Sequence, residues 1–290
     1  MGADDRYDVL VVGAGPSGAA AAAWLARAGH RVLVVDRKRF PREKTCGDAL
    51  TPRAVRQLED LGLADDLAPH LRFEGLRSIA HGVTIELPWP EHPDFPSYGY
   101  VVRRRDLDAL VSDRAVKAGA TLRTGTEALE PVLDGGLVTG AVLAGQTDGP
   151  HETVRARYVV VADGANSRFG RALGTARDRR YPLGMAVRGY FQSGYHDEPW
   201  IESHLDLRDR HGNHLPGYGW IFPVGDGTVN VGVGLLSTFA GWKDVNTSRL
   251  MEAFCDTAPA RWGIGPDTAC GAPTGGKLPT GLSVFPKVGP

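Results

Sequence analysis

Cysteine is scarce and scattered. Cys46, Cys255 and Cys270 are the only three in 290 residues, with no C-x-x-C pair among them. An odd number at such spacing supports neither a disulfide framework nor a structural zinc site, and it fits a reducing, cytoplasmic compartment. Long hydrophobic runs are missing too: nothing approaches the ~18 apolar residues of a membrane helix, so any membrane contact is expected to be peripheral, at the inner face. Met1 to Arg6 is acidic and has no apolar core, so no signal peptide is expected, and Arg6 stands where myristoylation needs Ser or Thr. A net charge of −1 leaves no basic field for nucleic acid. The nine histidines fall at no ligand spacing and there is no G-x-S-x-G, so neither a metal site nor a serine hydrolase is expected.

What is present begins at Asp8-Val9-Leu10-Val11-Val12, a β-branched and leucine run that reads as a buried parallel strand. It leads into Gly13-Ala14-Gly15-Pro16-Ser17-Gly18 and an alanine-rich helix from Ala19. Gly13 permits the sharp turn, Gly15 lets backbone approach phosphates, and Gly18 lets the helix lie close on the sheet. The free amides and positive end of that helix then face a diphosphate. Gly29 suits the helix C-terminus, and Arg31 to Val35 reads as the second strand, ending in Asp36, 18 residues past Gly18. An acid there accepts from a ribose hydroxyl and favours FAD or NAD over NADP.

Beyond Asp36 and Arg37 runs a polar loop to Leu50 that carries Cys46. The thiol is either activated by Lys44 and a helix start or simply a small residue packed near a cofactor. Thr51 and Pro52 open a helix through Leu61, and Leu76 to Ala80 with Val83 to Leu87 reads as a hairpin. Arg103-Arg104-Arg105 precedes a helix over Asp106 to Ala118, and that cluster is either solvated or beside an anion. Thr121 to Ala128, Gly136 to Ala144 and Thr153 to Val161 read as strands, the last a buried run ending in Asp163-Gly164 at the carboxyl edge of the sheet. Downstream, Met185 to Phe191, Trp200 to Leu207, Gly219 to Val224 and Thr228 to Leu235 alternate like antiparallel strands, followed by a helix over Asn246 to Thr257. Tyr190, Phe191, Trp200, Tyr218, Trp220 and Phe222 make this region aromatic, either as an apolar substrate cavity or as an ordinary sandwich core.

These motifs resemble the flavoproteins of the geranylgeranyl reductase family, relatives of the aromatic hydroxylases with the p-hydroxybenzoate hydroxylase fold. The glycine motif with Asp36, Arg104-x-x-Leu107-Asp108 and Asp163-Gly164 match the superfamily at large. Narrower are Pro41-x-x-Lys44-x-Cys46-Gly47-Asp48 and Tyr218-Gly219-Trp220-Ile221-Phe222-Pro223 with Val229-Asn230-Val231-Gly232-Val233-Gly234. Within the family the chain is most similar to actinobacterial menaquinone reductases.

The class expected is α/β, a Rossmann-like FAD-binding domain with a parallel sheet plus a mostly antiparallel β-sheet substrate domain. Residues 1–75 and 98–180 would form the former and 76–97 and 181–280 the latter, while 281–290 would start a final FAD-domain strand that a C-terminal truncation cuts short. The resemblance implies FAD as cofactor, held by Gly13, Ala14, Gly15, Pro16, Ser17, Gly18, Asp36, Arg37, Cys46, Gly47, Asp48, Arg104, Ala128, Asp163 and Gly164. It implies a lipophilic isoprenoid substrate, menaquinone or a geranylgeranyl group, reduced at one C=C bond beside Cys46, Tyr218 and Trp220, with an unidentified electron donor. A flavin monooxygenase acting on an aromatic ring is the alternative enzyme class, and an inactive fragment the non-catalytic one.

Overall fold

Strands rich in valine and leucine on both faces need cover on both faces, and in a mixed chain the cheapest cover is a crossover helix. The structure, a computed structural model, shows this arrangement and describes residues 7–145, 149–175, 178, 180–239 and 241–279. In chain order the first elements are β1 (Tyr7–Val12), α1 (Pro16–Arg27), β2 (Val32–Asp36), β3 (Ala49–Leu50), α2 (Pro52–Asp60) and α3 (Ala64–Leu67). Next come β4 (Leu71–Phe73), β5 (Gly75–Ala80), β6 (Val83–Pro88), β7 (Gly99–Val101), α4 (Arg104–Lys117), β8 (Thr121–Thr124), β9 (Thr126–Asp134) and β10 (Leu137–Gly145). The chain continues through β11 (Glu152–Val161), α5 (Arg168–Ala172), β12 (Leu183–Gln192), β13 (Trp200–His204), β14 (Gly217–Pro223), β15 (Thr228–Leu236), α6 (Thr247–Thr257) and β16 (Thr274–Pro279).

Two compact units result: residues 7–43 with Arg105–Asp178, and Lys44–Arg104 with the described residues from 180 onward. In the first, six strands lie in the order β8-β2-β1-β11-β10-β9. The pairs β8–β2, β2–β1 and β1–β11 are parallel, while β10 and β9 add an antiparallel extension. Leu10, Val12, Leu33, Val35, Leu143 and Phe169 form its buried cluster, and Ala19, Ala22 and Ala23 of α1 are fully buried because methyl groups let the helix sit close.

Two elements differ from expectation. Thr121 to Ala128 is not one strand: Gly125, at φ +68°, breaks it, so β8 pairs with β2 and β9 turns away to pair with β10. The apolar run at the end of β11 is not uniformly buried either. The cluster around Phe169 covers Val154 and Ala156 but not Tyr158, which is 66 % exposed, so the run's composition overstates its burial.

In the second unit seven strands lie in the order β16-β12-β15-β14-β13-β5-β6, antiparallel except for β13 against β5, beside a small sheet β3-β7-β4. Alternation along β15 sends Val229, Val231 and Val233 into a cluster with Leu250, Met251 and Phe254 of α6. Asn246 caps that helix, its Oδ1 accepting from the amides of Ser248 and Arg249 at 3.0 and 3.1 Å. Thr51 holds the cap position of α2, yet its side chain makes no capping bond.

This division differs from the one expected, since residues 44–75 and 98–104 join the second unit. Pairing of β3 and β4 with β7 explains it, together with a buried cluster in which Phe73 and Val101 meet Tyr190, Ile201 and Val224. The expected final strand, 281–290, lies outside the described residues.

Candidate functional site

In the first unit the three glycines hold the positions their spacing requires. Gly13 has φ +99°, and a Cβ there would stand 2.4 Å from the Ala162 carbonyl oxygen. A Cβ on Gly18 would stand 1.9 Å from the Gly13 oxygen, which is why helix and turn close on each other only with glycine. Gly15 is different: a Cβ there would meet only the Arg42 guanidinium, at 3.6 Å. Its backbone therefore borders a cradle at the start of α1, a helix with Pro16 in its first turn and no acid there. Ser17 is exposed, and Pro16 and Gly15 are half-buried.

Asp36 is built into that turn rather than hanging beside it. Its Oδ2 accepts from the Ala14 amide at 2.9 Å and its Oδ1 from the Lys38 amide at 2.8 Å. A carboxylate has about four lone-pair sites, so capacity remains for a ligand hydroxyl. The sequence reading gave Arg42 no role, because one cation in a loop of several carries no signal. The structure puts its Nη1 3.1 Å from Asp108, which is fully buried, and its Nη2 3.7 Å from Asp36, and the Arg42 Nε is buried without a hydrogen-bond partner among the described residues. Arg37 is exposed beside Asp36. Asp163 spends one oxygen, Oδ2, on the amides of Arg168 and Phe169 at the start of α5, and Gly164 turns at φ +91°. Ala128 lies in the buried cluster, so only its backbone is available to a ligand.

In the second unit the Cys46-Gly47-Asp48 loop lies on the aromatic side chains of β14. A Cβ on Gly47 would be 2.9 Å from the Phe222 ring and 3.6 Å from Trp220 Nε1. Asp48 is 1 % exposed and sits at φ +70°, a conformation L side chains rarely adopt. Its Oδ2 accepts from the Tyr190 hydroxyl at 2.5 Å and from Asn230 Nδ2 at 2.8 Å, and its Oδ1 from the Arg104 amide at 3.1 Å. Burial pushes the Asp48 carboxyl up, against the opposing pull of the Tyr190 and Asn230 hydrogen bonds. Tyr190 is also pushed up, by burial first and then by the Asp48 charge, so its hydroxyl stays protonated and donates. Guanidiniums of Arg103 and Arg188 lie over the Tyr190 ring at 4.2 and 4.3 Å from its centroid. Arg103 is anchored in turn to Asp226 at 2.6 Å.

Trp220 is 5 % exposed, whereas Tyr218 is 44 % exposed, its ring centroid 5.8 Å from that of Trp220. Burial and the neighbouring Cys46 push the Tyr218 hydroxyl above its ordinary value. Thus Cys46, Gly47, Asp48, Arg104, Tyr218 and Trp220 come together in one unit, and the glycine motif, Asp36 and Asp163-Gly164 in the other. At the sequence level Tyr190 was one aromatic of a cavity or core and Asn230 one member of the family motif, and neither was placed at Asp48. The available signal for Asn230 was a lone amide inside an alternating valine strand, where a buried polar group needs partners.

The family model described as an FAD binding domain matches residues 6–187. A menaquinone reductase from Mycobacterium tuberculosis is 48 % identical over 265 residues, covering 91 % of this chain and 64 % of that protein. One from Mycolicibacterium smegmatis is 45 % identical over 289 residues, covering 98 % of this chain and 68 % of its own. Among solved structures, a geranylgeranyl bacteriochlorophyll reductase-like protein from Thermoplasma acidophilum superposes with a TM-score of 0.79 at 24 % identity, covering 97 % of this chain and 68 % of the other. The chain thus spans about two thirds of the length of these relatives. It belongs to the FAD-binding-domain family, together with the menaquinone reductases it resembles.

Proposed function

We propose that the protein acts in the FAD-dependent reduction of one C=C bond of a polyprenyl chain, the tail of a menaquinone. The observation that carries this reading is the Cys46-Gly47-Asp48 loop seated directly on Trp220 and Phe222, beside a half-exposed Tyr218. Such a surface offers an alkene apolar walls and a thiol.

The residues of the first unit fit FAD. Gly15 leaves space where any side chain would project toward Arg42, and the buried, unpartnered Nε of Arg42 supplies a donor beside that space. The amides at the start of α1 would take the diphosphate, Asp36 a ribose hydroxyl, and Arg42 part of the negative charge. When bound and reduced, FAD supplies the hydride that such a reduction needs. The chain's own task is then to hold the alkene still, keep water away and deliver a proton to the second carbon. Trp220 and Phe222 would do the first two, and the Cys46 thiol or the Tyr218 hydroxyl the third.

No helix among the described residues is long and apolar enough to cross a membrane. Access to a tail that lives in the bilayer therefore belongs to this reading as a peripheral contact. The test is incubation of the FAD-loaded, chemically reduced protein with menaquinone in detergent micelles, followed by mass spectrometry of the lipid. A gain of two hydrogens in the tail is expected. An unchanged tail, or an oxygen atom added to an aromatic acid offered in parallel, overturns the proposal.

A further inference from the structure

We infer that Asn230 is the positioning residue of the reaction surface: one amide side chain sets where the Cys46 loop and the Trp220 ring lie relative to each other. The inference rests on the Cys46 loop being part of that surface, as proposed above. Asn230 is fully buried on β15. Its Nδ2 donates to the Cys46 carbonyl at 2.9 Å and to Asp48 Oδ2 at 2.8 Å, and its Oδ1 accepts from Trp220 Nε1 at 3.0 Å. Both amide protons meet acceptors and the carbonyl meets a donor, so the partners themselves fix the orientation of the amide.

Neighbouring glycine makes the third bond possible. On β15, Gly232 pairs with Trp220, and a Cβ there would stand 2.2 Å from the indole ring. Without a side chain at that position the ring lies flat across the strand and points Nε1 at Asn230. The Val229-Asn230-Val231-Gly232 pattern is thus a device: valines face the core around α6, and the residues between them, an amide and a gap, hold the opposite face.

The three bonds need a side chain that donates twice and accepts once. Aspartate would set a second carboxylate against Asp48 and could not donate to the Cys46 carbonyl. Leucine would leave the buried indole N–H without its acceptor and the Cys46 carbonyl without this donor. The fold itself needs only that the 48–230 and 220–230 contacts be satisfied, and the Cys46 contact is the one specific to positioning.

That distinction can be tested by iodoacetamide labelling of the FAD-loaded protein, with rates read cysteine by cysteine by mass spectrometry alongside thermal unfolding. Cys270, exposed, and Cys255, whose thiol burial pushes up to about 11, serve as internal references. Asn230→Asp should lower the unfolding temperature and speed Cys46 labelling at least tenfold, with Cys270 unchanged. In the double variant Asp48→Asn/Asn230→Asp, the amide introduced at position 48 can donate to the carboxylate introduced at position 230 and to the Tyr190 oxygen once that hydroxyl turns, and the carboxylate can also accept from Trp220, so part of the lost stability should return. The Cys46 carbonyl still lacks its donor, and its labelling should remain at least tenfold fast. If Cys46 protection returned together with stability, or if neither variant changed Cys46 labelling, the positioning role would be refuted. The labelling involves no substrate turnover, so its outcome is independent of whether menaquinone is reduced.

Discussion

Glu202 offers the most demanding check on the physical account of the second unit. It is fully buried on β13 and accepts from four donors: Arg77 Nη1 at 3.2 Å and Arg261 on Oε1, Trp262 Nε1 at 2.9 Å and His204 Nε2 at 3.1 Å on Oε2. Glu202→Gln keeps one acceptor oxygen and turns the other into a donor, so two of these bonds are lost together with the charge. A hydrogen bond to a charged group is worth about 1.5–3 kcal/mol, and breaking a buried pair costs about 3–5 kcal/mol. Arg77 retains Glu86 at 2.8 Å and Glu198 at 3.0 Å, and the 36 %-exposed Arg261 side chain can rehydrate, which places the loss near the lower end. We expect about 3 kcal/mol, or a fall of about 6–12 °C in unfolding temperature at neutral pH.

Burial acts to raise the Glu202 carboxyl, but the His204 hydrogen bond and the Arg261 charge outweigh it and hold the group below its ordinary value. With a folded value below the unfolded one, the stabilisation is complete above the ordinary carboxylate range and is lost as pH falls through the folded value. The gap between wild type and variant should therefore be full at about pH 7 and shrink toward about pH 3. Differential scanning fluorimetry across that range reads it, with Glu86→Gln, on a half-exposed partner, as a control costing under about 0.5 kcal/mol. A gap below about 1 °C at neutral pH, or one unchanged in acid, refutes the reasoning.

Asp36→Ala removes the acceptor of the Ala14 amide and the proposed ribose partner, so FAD affinity should fall by about 1–3 kcal/mol, roughly fivefold to 150-fold, in a fluorescence titration. An unchanged dissociation constant would remove Asp36 from the site. Gly18→Ala forces a Cβ against the Gly13 oxygen, and both FAD binding and at least about 2 kcal/mol of stability should be lost; a variant that binds normally would mean the helix start is not closed as described. Tyr190→Phe deletes the hydroxyl that lowers the Asp48 carboxyl, so that group rises further. A carboxyl raised on folding stabilises below its unfolded value and loses that contribution as pH rises through the folded value, so the variant's deficit should grow as pH rises above the ordinary carboxylate range, and a pH-independent deficit refutes it.

Sequence alone determined the elements whose chemistry is local. Three glycines at fixed spacing, an alanine helix and a strand ending in Asp36 specify a nucleotide turn, because φ, steric room and strand period act within a few residues. The alternation from Met185 to Leu235 likewise gave the antiparallel strands, whose side chains face two different surroundings. Local reasoning failed where a distant group decided the outcome. Gly125 ends β8 because β2 and β10 claim the strands on either side of it, and the apolar tail of β11 stays open because burial depends on what lies over it. Asp48, read only as a cofactor contact, is tied to residues 142 and 182 positions away in the chain. Arg42, one cation among many in its loop, matters because Asp108 and Asp36 converge on it. Such a charge is costly to bury unless its partners come from elsewhere in the chain, and only the packed tertiary structure brings them there.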